Sequence, residues 1–206
     1  MRRVTKTYGH DLGFTATFRQ HRATSHCRFI HGYALGFKLV FECGEDELDE
    51  NGWVINFGGL KPIKAWLCEM FDHTYLVAKD DPMLPWYQAL ADPDGTHAKH
   101  ALPLGEALIQ LRVVERTGCE AFAKMVYDYV KHGLDHGHLG NTKARLVEVE
   151  VREHGANAAS YIPDKPLVRQ ELRVAIDGNE AAEMIKAAAA EAVKLMRQEE
   201  RRGRRI

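Results

Sequence analysis

The stretch Ser25–Phe37, SHCRFIHGYALGF, continues as KLVFEC to Cys43, and its reading decides the fold. From Leu35 onward apolar residues hold alternate positions, so that Leu35, Phe37, Leu39 and Phe41 share one face. Successive side chains of a strand point to opposite sides, so this alternation predicts a strand over 33–43 with one face buried. A polar, basic loop (RQHRATSHCR, 19–28) precedes it, and LGFTATF (12–18) before the loop reads as a second strand. Cys27 and His31 thus fall where loop becomes strand. A thiol and an imidazole there could serve a metal or move a proton. They could equally be a buried small side chain and a ring bonded to backbone.

Working outward, an acidic turn (44–52) leads to WVINF (53–57), read as a third short strand. GGLKPIKAWLCEMF (58–71) places Leu60, Ile63, Leu67, Met70 and Phe71 at helical spacing, with Pro62 in the first turn. Residues 72–103 are rich in breakers and read as loop. ALIQLRVVE (107–115) reads as a strand, and GCEAFAKMVYDYVKHG (118–133) as a second helix with Phe122, Met125, Val126, Tyr129 and Val130 on its apolar face. KARLVEVEVRE (143–153) reads as a strand, with Glu148, Glu150 and Arg152 among apolar Leu146, Val147, Val149 and Val151. Strands and helices in that order predict an α+β domain, an antiparallel sheet with its helices on one face. Beyond residue 166 the composition changes. Residues 179–200 are Ala-rich and helix-forming, and the chain ends RRGRRI. The division expected is a domain over 1–166 and a helical extension with a basic tail over 167–206.

The 206 residues suffice for one cored domain with an extension. A net charge of -1 gives no overall pull toward nucleic acid, which is not an expected partner. The tail alone could touch nucleic acid or an acidic partner, and a helix for oligomer contacts is the plainer use of the extension. No apolar run approaches a membrane span, and the N-terminus carries no apolar leader core, so a cytoplasmic location is expected. Cys27, Cys43, Cys68 and Cys119 form no CxxC pair and are expected to be free thiols.

Four fragments could carry chemistry together: Cys27 with His31-Gly32, Asp72-His73, Glu120, and Glu153-His154. An Asp that orients a His makes a proton relay, and a thiol coupled to such a relay can take or give a proton. A Glu can grip a planar amidine-like edge, such as that of a pterin or guanine, through two parallel hydrogen bonds.

At these residues the chain resembles the family of 6-pyruvoyltetrahydropterin and 6-carboxytetrahydropterin synthases. The matching pieces are FTATF (14–18), CRFIHGY (27–33), GWVINFGGLK (52–61), DHTYL (72–76), TGCE (117–120) and VREHGANAASY (151–161), in the family's order. The resemblance implies the tunnelling fold: a four-stranded antiparallel sheet with two helices on one face, assembled into trimers or hexamers with sites at subunit interfaces. It implies a lyase acting on a substrate like 7,8-dihydroneopterin triphosphate, serving tetrahydrobiopterin or the deazaguanine precursors of queuosine. Cys27 would be the general acid or base, Asp72 and His73 its relay, and Glu153 the pterin anchor with Glu120 nearby. Arg19, Arg22 and Arg28 could meet the phosphates.

The family also holds zinc through three His. Here the corresponding positions are Phe18, His31 and Tyr33, so only His31 remains. Its Asp in the DF motif is Asn56, and the Thr after the last Glu is His154. Zinc is expected through His31 with His21, His26 or His154 as substitutes. The alternatives are a metal-free aldolase- or epimerase-like enzyme of the wider fold, or a non-catalytic oligomer that binds a pterin or purine.

Overall fold

A computed structural model describes residues 1–92, 106–140 and 143–163. The chain divides into two units, Met1–Pro163 and Asp164–Ile206. The helix and basic tail expected beyond residue 166 lie outside the described residues.

The spine of the first unit is β3 (His31–Cys43), the 13-residue strand that the alternation marks out. Leu35, Phe37, Leu39 and Phe41 are all buried on one side of it. β2 (Phe14–Phe18) pairs antiparallel with its first half, and β1 (Arg2–Tyr8) with its second half. β6 (Arg145–Arg152) takes the edge opposite β1, and β7 (Ala158–Tyr161) turns back on β6. At the other end, β4 (Thr74–Ala78) lies parallel to β2, and β5 (Gln110–Val114) parallel to β4. The order is β5-β4-β2-β3-β6-β7, with β1 beside β3.

The α+β class holds, with more strands than the four expected and with two parallel pairings. β1 reads RRVTKTY, an edge strand whose charges hide its alternation; Arg3 meets Glu42 at 2.9 Å and Arg2 meets Glu45 at 2.8 Å. Such charge suits an edge with unpaired backbone. β4 is buried on both faces, so it has no polar positions to give it a period. WVINF is not a strand. Val54 and Ile55 tuck into the core, and the Asn56 side chain caps a 3₁₀ turn over Phe57–Leu60 by accepting from Gly58 N at 2.8 Å.

α1 (Lys61–Phe71) and α3 (Cys119–Asp135) cover one face, as expected, through Ile63, Leu67, Phe71, Phe122, Val126 and Val130. Trp66 and Tyr129 stack between the two helices, 4.1 Å apart and 6° from parallel. A third helix, α2 (Leu84–Ala91), falls where loop was expected, and closes a separate small core with Tyr75 and Val77 from the opposite side of β4. The β3–β6 register slips between Val40 and Phe41, which pair with Glu148 and Leu146. Val147 is the extra residue of a bulge. This lets Leu146 and Val149, three apart, both reach the core.

Candidate active site

The loop carrying Cys27 is tied down at both ends. Gln20 N donates to Cys27 O at 2.9 Å, closing the loop across its base. Ser25 caps a short 3₁₀ turn over His26–Arg28, which sets Cys27 half-exposed with His26 outside it. The loop's first residues dock on the turn before α3, where Thr117 Oγ1 donates to Arg19 O at 2.6 Å. Gly118 has φ +112, and a side chain there would strike Gln20 Nε2 at 2.4 Å. Glycine is therefore what allows the loop to close over the head of α3.

At and around that head stand Cys119, Glu153, Glu120, Tyr33 and Cys27. Cys119, the first residue of α3, is buried; burial, then Glu153 and Glu120, push its thiol up to about 12. It stays protonated, and its S–H is a donor toward the Glu153 carboxylate. Burial also raises the Tyr33 phenol, with Glu153, Cys27 and Cys119 acting the same way. Glu153 itself follows β6 directly and opens the hairpin to β7, its N–H donating to Asn157 O at 3.1 Å. Glu120 is exposed one residue into the helix.

Asp72 and His73 end α1. Asp72 N donates to Cys68 O at 3.0 Å, and His73 takes φ +54, a left-handed backbone that turns the chain sharply into β4. His73 Nδ1 lies 2.7 Å from Asp72 Oδ1, the contact a relay requires. His73 lines a cavity of about 720 Å³ with Thr15, Thr17, Ile30, Tyr75 and Gln110. Thr15 and Thr17 point away from the helices, because their neighbours Phe14, Ala16 and Phe18 are buried toward them. Cys27 lies near enough to Tyr33 to act on its phenol. Among the described residues no hydrogen bond or ion pair joins Cys27 to Asp72 or His73. Within one chain the thiol and the relay therefore make no direct contact among the described residues.

Residues 9–164 match the family model for 6-pyruvoyl tetrahydropterin synthase. The chain belongs to this family. A 6-carboxy-5,6,7,8-tetrahydropterin synthase from Aquifex aeolicus is 29% identical over 156 residues, 75% of this chain and 85% of that protein. An uncharacterized protein from Wolinella succinogenes has a similar structure, with TM-score 0.63, 19% identity, and 79% of this chain and 98% of that one covered. The 6-pyruvoyl tetrahydropterin synthase of Plasmodium vivax gives a TM-score of 0.51 at 13% identity, covering 78% and 98%. These two likenesses show the fold.

The positions that would hold the synthase family's zinc do come together, but as an aromatic cluster. Phe18 stands opposite His31 across the β2–β3 ladder, and Tyr33 follows on the same face. Their ring centroids lie 5.0 Å (Phe18–His31), 5.6 Å (His31–Tyr33) and 6.2 Å (Phe18–Tyr33) apart. His154 adds its ring 5.9 Å from Tyr33. The expected substitutes do not complete a metal site. His21 lies 3.7 Å from Asp80 and 3.9 Å from Asp81, inside a different ion-pair group, and His26 sits on the turn beside Cys27. Among the described residues no group of three or more His, Cys, Asp or Glu is placed to hold a metal ion. The residues do not fit zinc.

The arginines considered for phosphates are also engaged. Arg19 grips Asp81 with two bonds of 2.8 and 2.6 Å, Arg22 pairs with Asp80, and Arg28 lies 4.8 Å over the Phe29 ring. Sequence reasoning passed over Cys119 and Arg116. Cys119 sits inside TGCE, one residue before a Glu already singled out, and that adjacency was the available signal. Arg116 shares a small cavity of about 230 Å³ with Gln20, His21, Arg22, Asp80 and Thr117.

Proposed function

We propose that this chain is a lyase acting on a reduced pterin with a hydroxylated side chain, of the 7,8-dihydroneopterin triphosphate type. Family membership supports the pterin. The observation that carries the reading is the contact of Cys119, at the head of α3, with Glu153, whose neighbour His154 sets its ring 5.9 Å from that of Tyr33. Glu153 binds the ring edge through two parallel hydrogen bonds to the 2-amino and N3 groups, and Cys119 holds that carboxylate in place. Cys27 moves the proton of the side chain. Asp72-His73 completes the relay from a neighbouring copy, a reading supported by the lack of any bond between it and Cys27 within one chain among the described residues. The working unit is then a homo-oligomer, a trimer or hexamer, with its sites between subunits.

Two routes share this machinery. One expels triphosphate and keeps all three side-chain carbons in a 6-pyruvoyl-type product, or takes up water and releases a two-carbon aldehyde as well as triphosphate to leave a 6-carboxy-type product, the latter serving queuosine precursors. The other removes a side-chain hydroxyl proton and breaks the adjacent C–C bond. Its electron pair passes into the dihydropterin ring, a two-carbon aldehyde leaves, and the carbon next to the ring is then reprotonated. The ring acts as the electron sink, so this second route needs no Lewis acid. The aromatic cluster at positions 18, 31 and 33 favours it.

The test is calorimetric binding of 7,8-dihydroneopterin to the wild type and to Glu153→Gln. Loss of one charge-assisted pair should weaken binding about 10- to 100-fold. Equal affinity would remove Glu153 as the anchor and with it the reading.

A further inference from the structure

The register of β2 and β3 sets positions 18 and 31 directly opposite one another and position 33 two residues along the same face. Directly opposed side chains start about 5 Å apart, so three imidazoles at these positions could converge on one ion. This chain puts a phenyl, an imidazole and a phenol there. Phe18 is fully buried and meets Phe122 edge-on at 5.1 Å, so position 18 is now part of the core. A phenyl ring has no lone pair to offer. His31 Nδ1 is held by Phe29 O at 2.7 Å. His154 Nδ1 accepts from Ala156 N at 3.2 Å within its own turn. One free imidazole nitrogen beside a phenol is not a zinc site, which needs three protein ligands.

A site without a metal must offset the charge that develops on a substrate oxygen by other means, and a fixed hydrogen-bond donor is the usual one. Tyr33 carries a hydroxyl on this face, its ring 5.6 Å from that of His31 and 5.9 Å from that of His154, the residue after Glu153. Resting on the pterin reading above, we propose that this site works without a resident metal, and that the Tyr33 hydroxyl is a catalytic residue, donating to the substrate's side-chain oxygen.

Zinc content comes first, by elemental analysis of wild type and His31→Ala purified without chelator. The expected result is no zinc that depends on His31. Zinc held near one per chain by the wild type and lost in His31→Ala would overturn the proposal. Zinc held equally by both does not depend on His31, sits away from this cluster, and agrees with it. The Phe18→His/Tyr33→His double variant should gain roughly one calorimetrically titrated zinc per chain. Should the buried substitution unfold the chain, the native analysis still decides. Tyr33→Phe should lower kcat about 100-fold while 7,8-dihydroneopterin binds as before. Full activity in that variant would overturn the role of Tyr33. Absence of turnover in the wild type itself would remove the pterin reading and that role together, while the zinc result would still decide the metal question.

Discussion

Gly32 shows how closely single residues are fixed beside the site. A Cβ there would lie 2.8 Å from Ala16 O and 2.9 Å from Thr17 Oγ1, and the first of these is backbone that cannot step aside. Gly32→Ala should cost about 1–3 kcal/mol and disturb His31 and Tyr33 on either side; a denaturant melt with unchanged midpoint would contradict this. Asp81 is fixed differently. Burial pushes its carboxyl up, but the Arg19 guanidinium and the Met83 N–H pull further the other way, leaving it below the usual carboxylate range. A depressed folded value means the stabilisation is complete above the unfolded value. It is lost as pH falls through the folded one. Asp81→Asn should therefore cost about 3 kcal/mol at neutral pH, because it leaves Arg19 without its charge partner. The Tm of the variant should also fall less than that of the wild type on acidification below pH 4. Parallel Tm curves would show that the pair does not carry the acid sensitivity.

Elements were legible in the sequence wherever one face was buried and the other wet. α1 and α3 have that pattern, and in β3 the alternation alone placed Leu35, Phe37, Leu39 and Phe41 inward, although Val40 and Glu42 on its other face are covered too. β4 was hidden because both its faces are covered, and α2 because Pro82 and Pro85 suggested loop where Pro85 sits in the helix's first turn. WVINF misled because its apolar pair packs on the core from a turn rather than from a ladder. At the site, the pairing of His73 with Asp72 follows from adjacency in sequence. The meeting of Glu153 with Cys119 depends on a hairpin turn and a helix start that only the fold brings together. The sequence also showed that two of three zinc positions had changed; that the aromatic rings close on one another there needed the register.

At the scale of the whole molecule, the lack of any bond between Cys27 and Asp72-His73 within one chain, among the described residues, has a direct consequence. If each site takes its thiol from one subunit and its relay from another, Cys27→Ala and His73→Ala chains are each inactive alone. Refolded together in equal amounts, they should recover roughly a quarter of wild-type activity, the share of sites that draw an intact residue from each chain. No recovery would mean that both groups serve from the same chain. The central claim is that Cys27 drives proton chemistry on a reduced pterin. It is tested most directly by chromatography of 7,8-dihydroneopterin triphosphate incubated with wild type or Cys27→Ala, with chelator present. The account expects the wild type to consume the substrate and release triphosphate or a two-carbon aldehyde, and Cys27→Ala to bind it without converting it. Conversion by Cys27→Ala at the wild-type rate, or none by either protein, would contradict it.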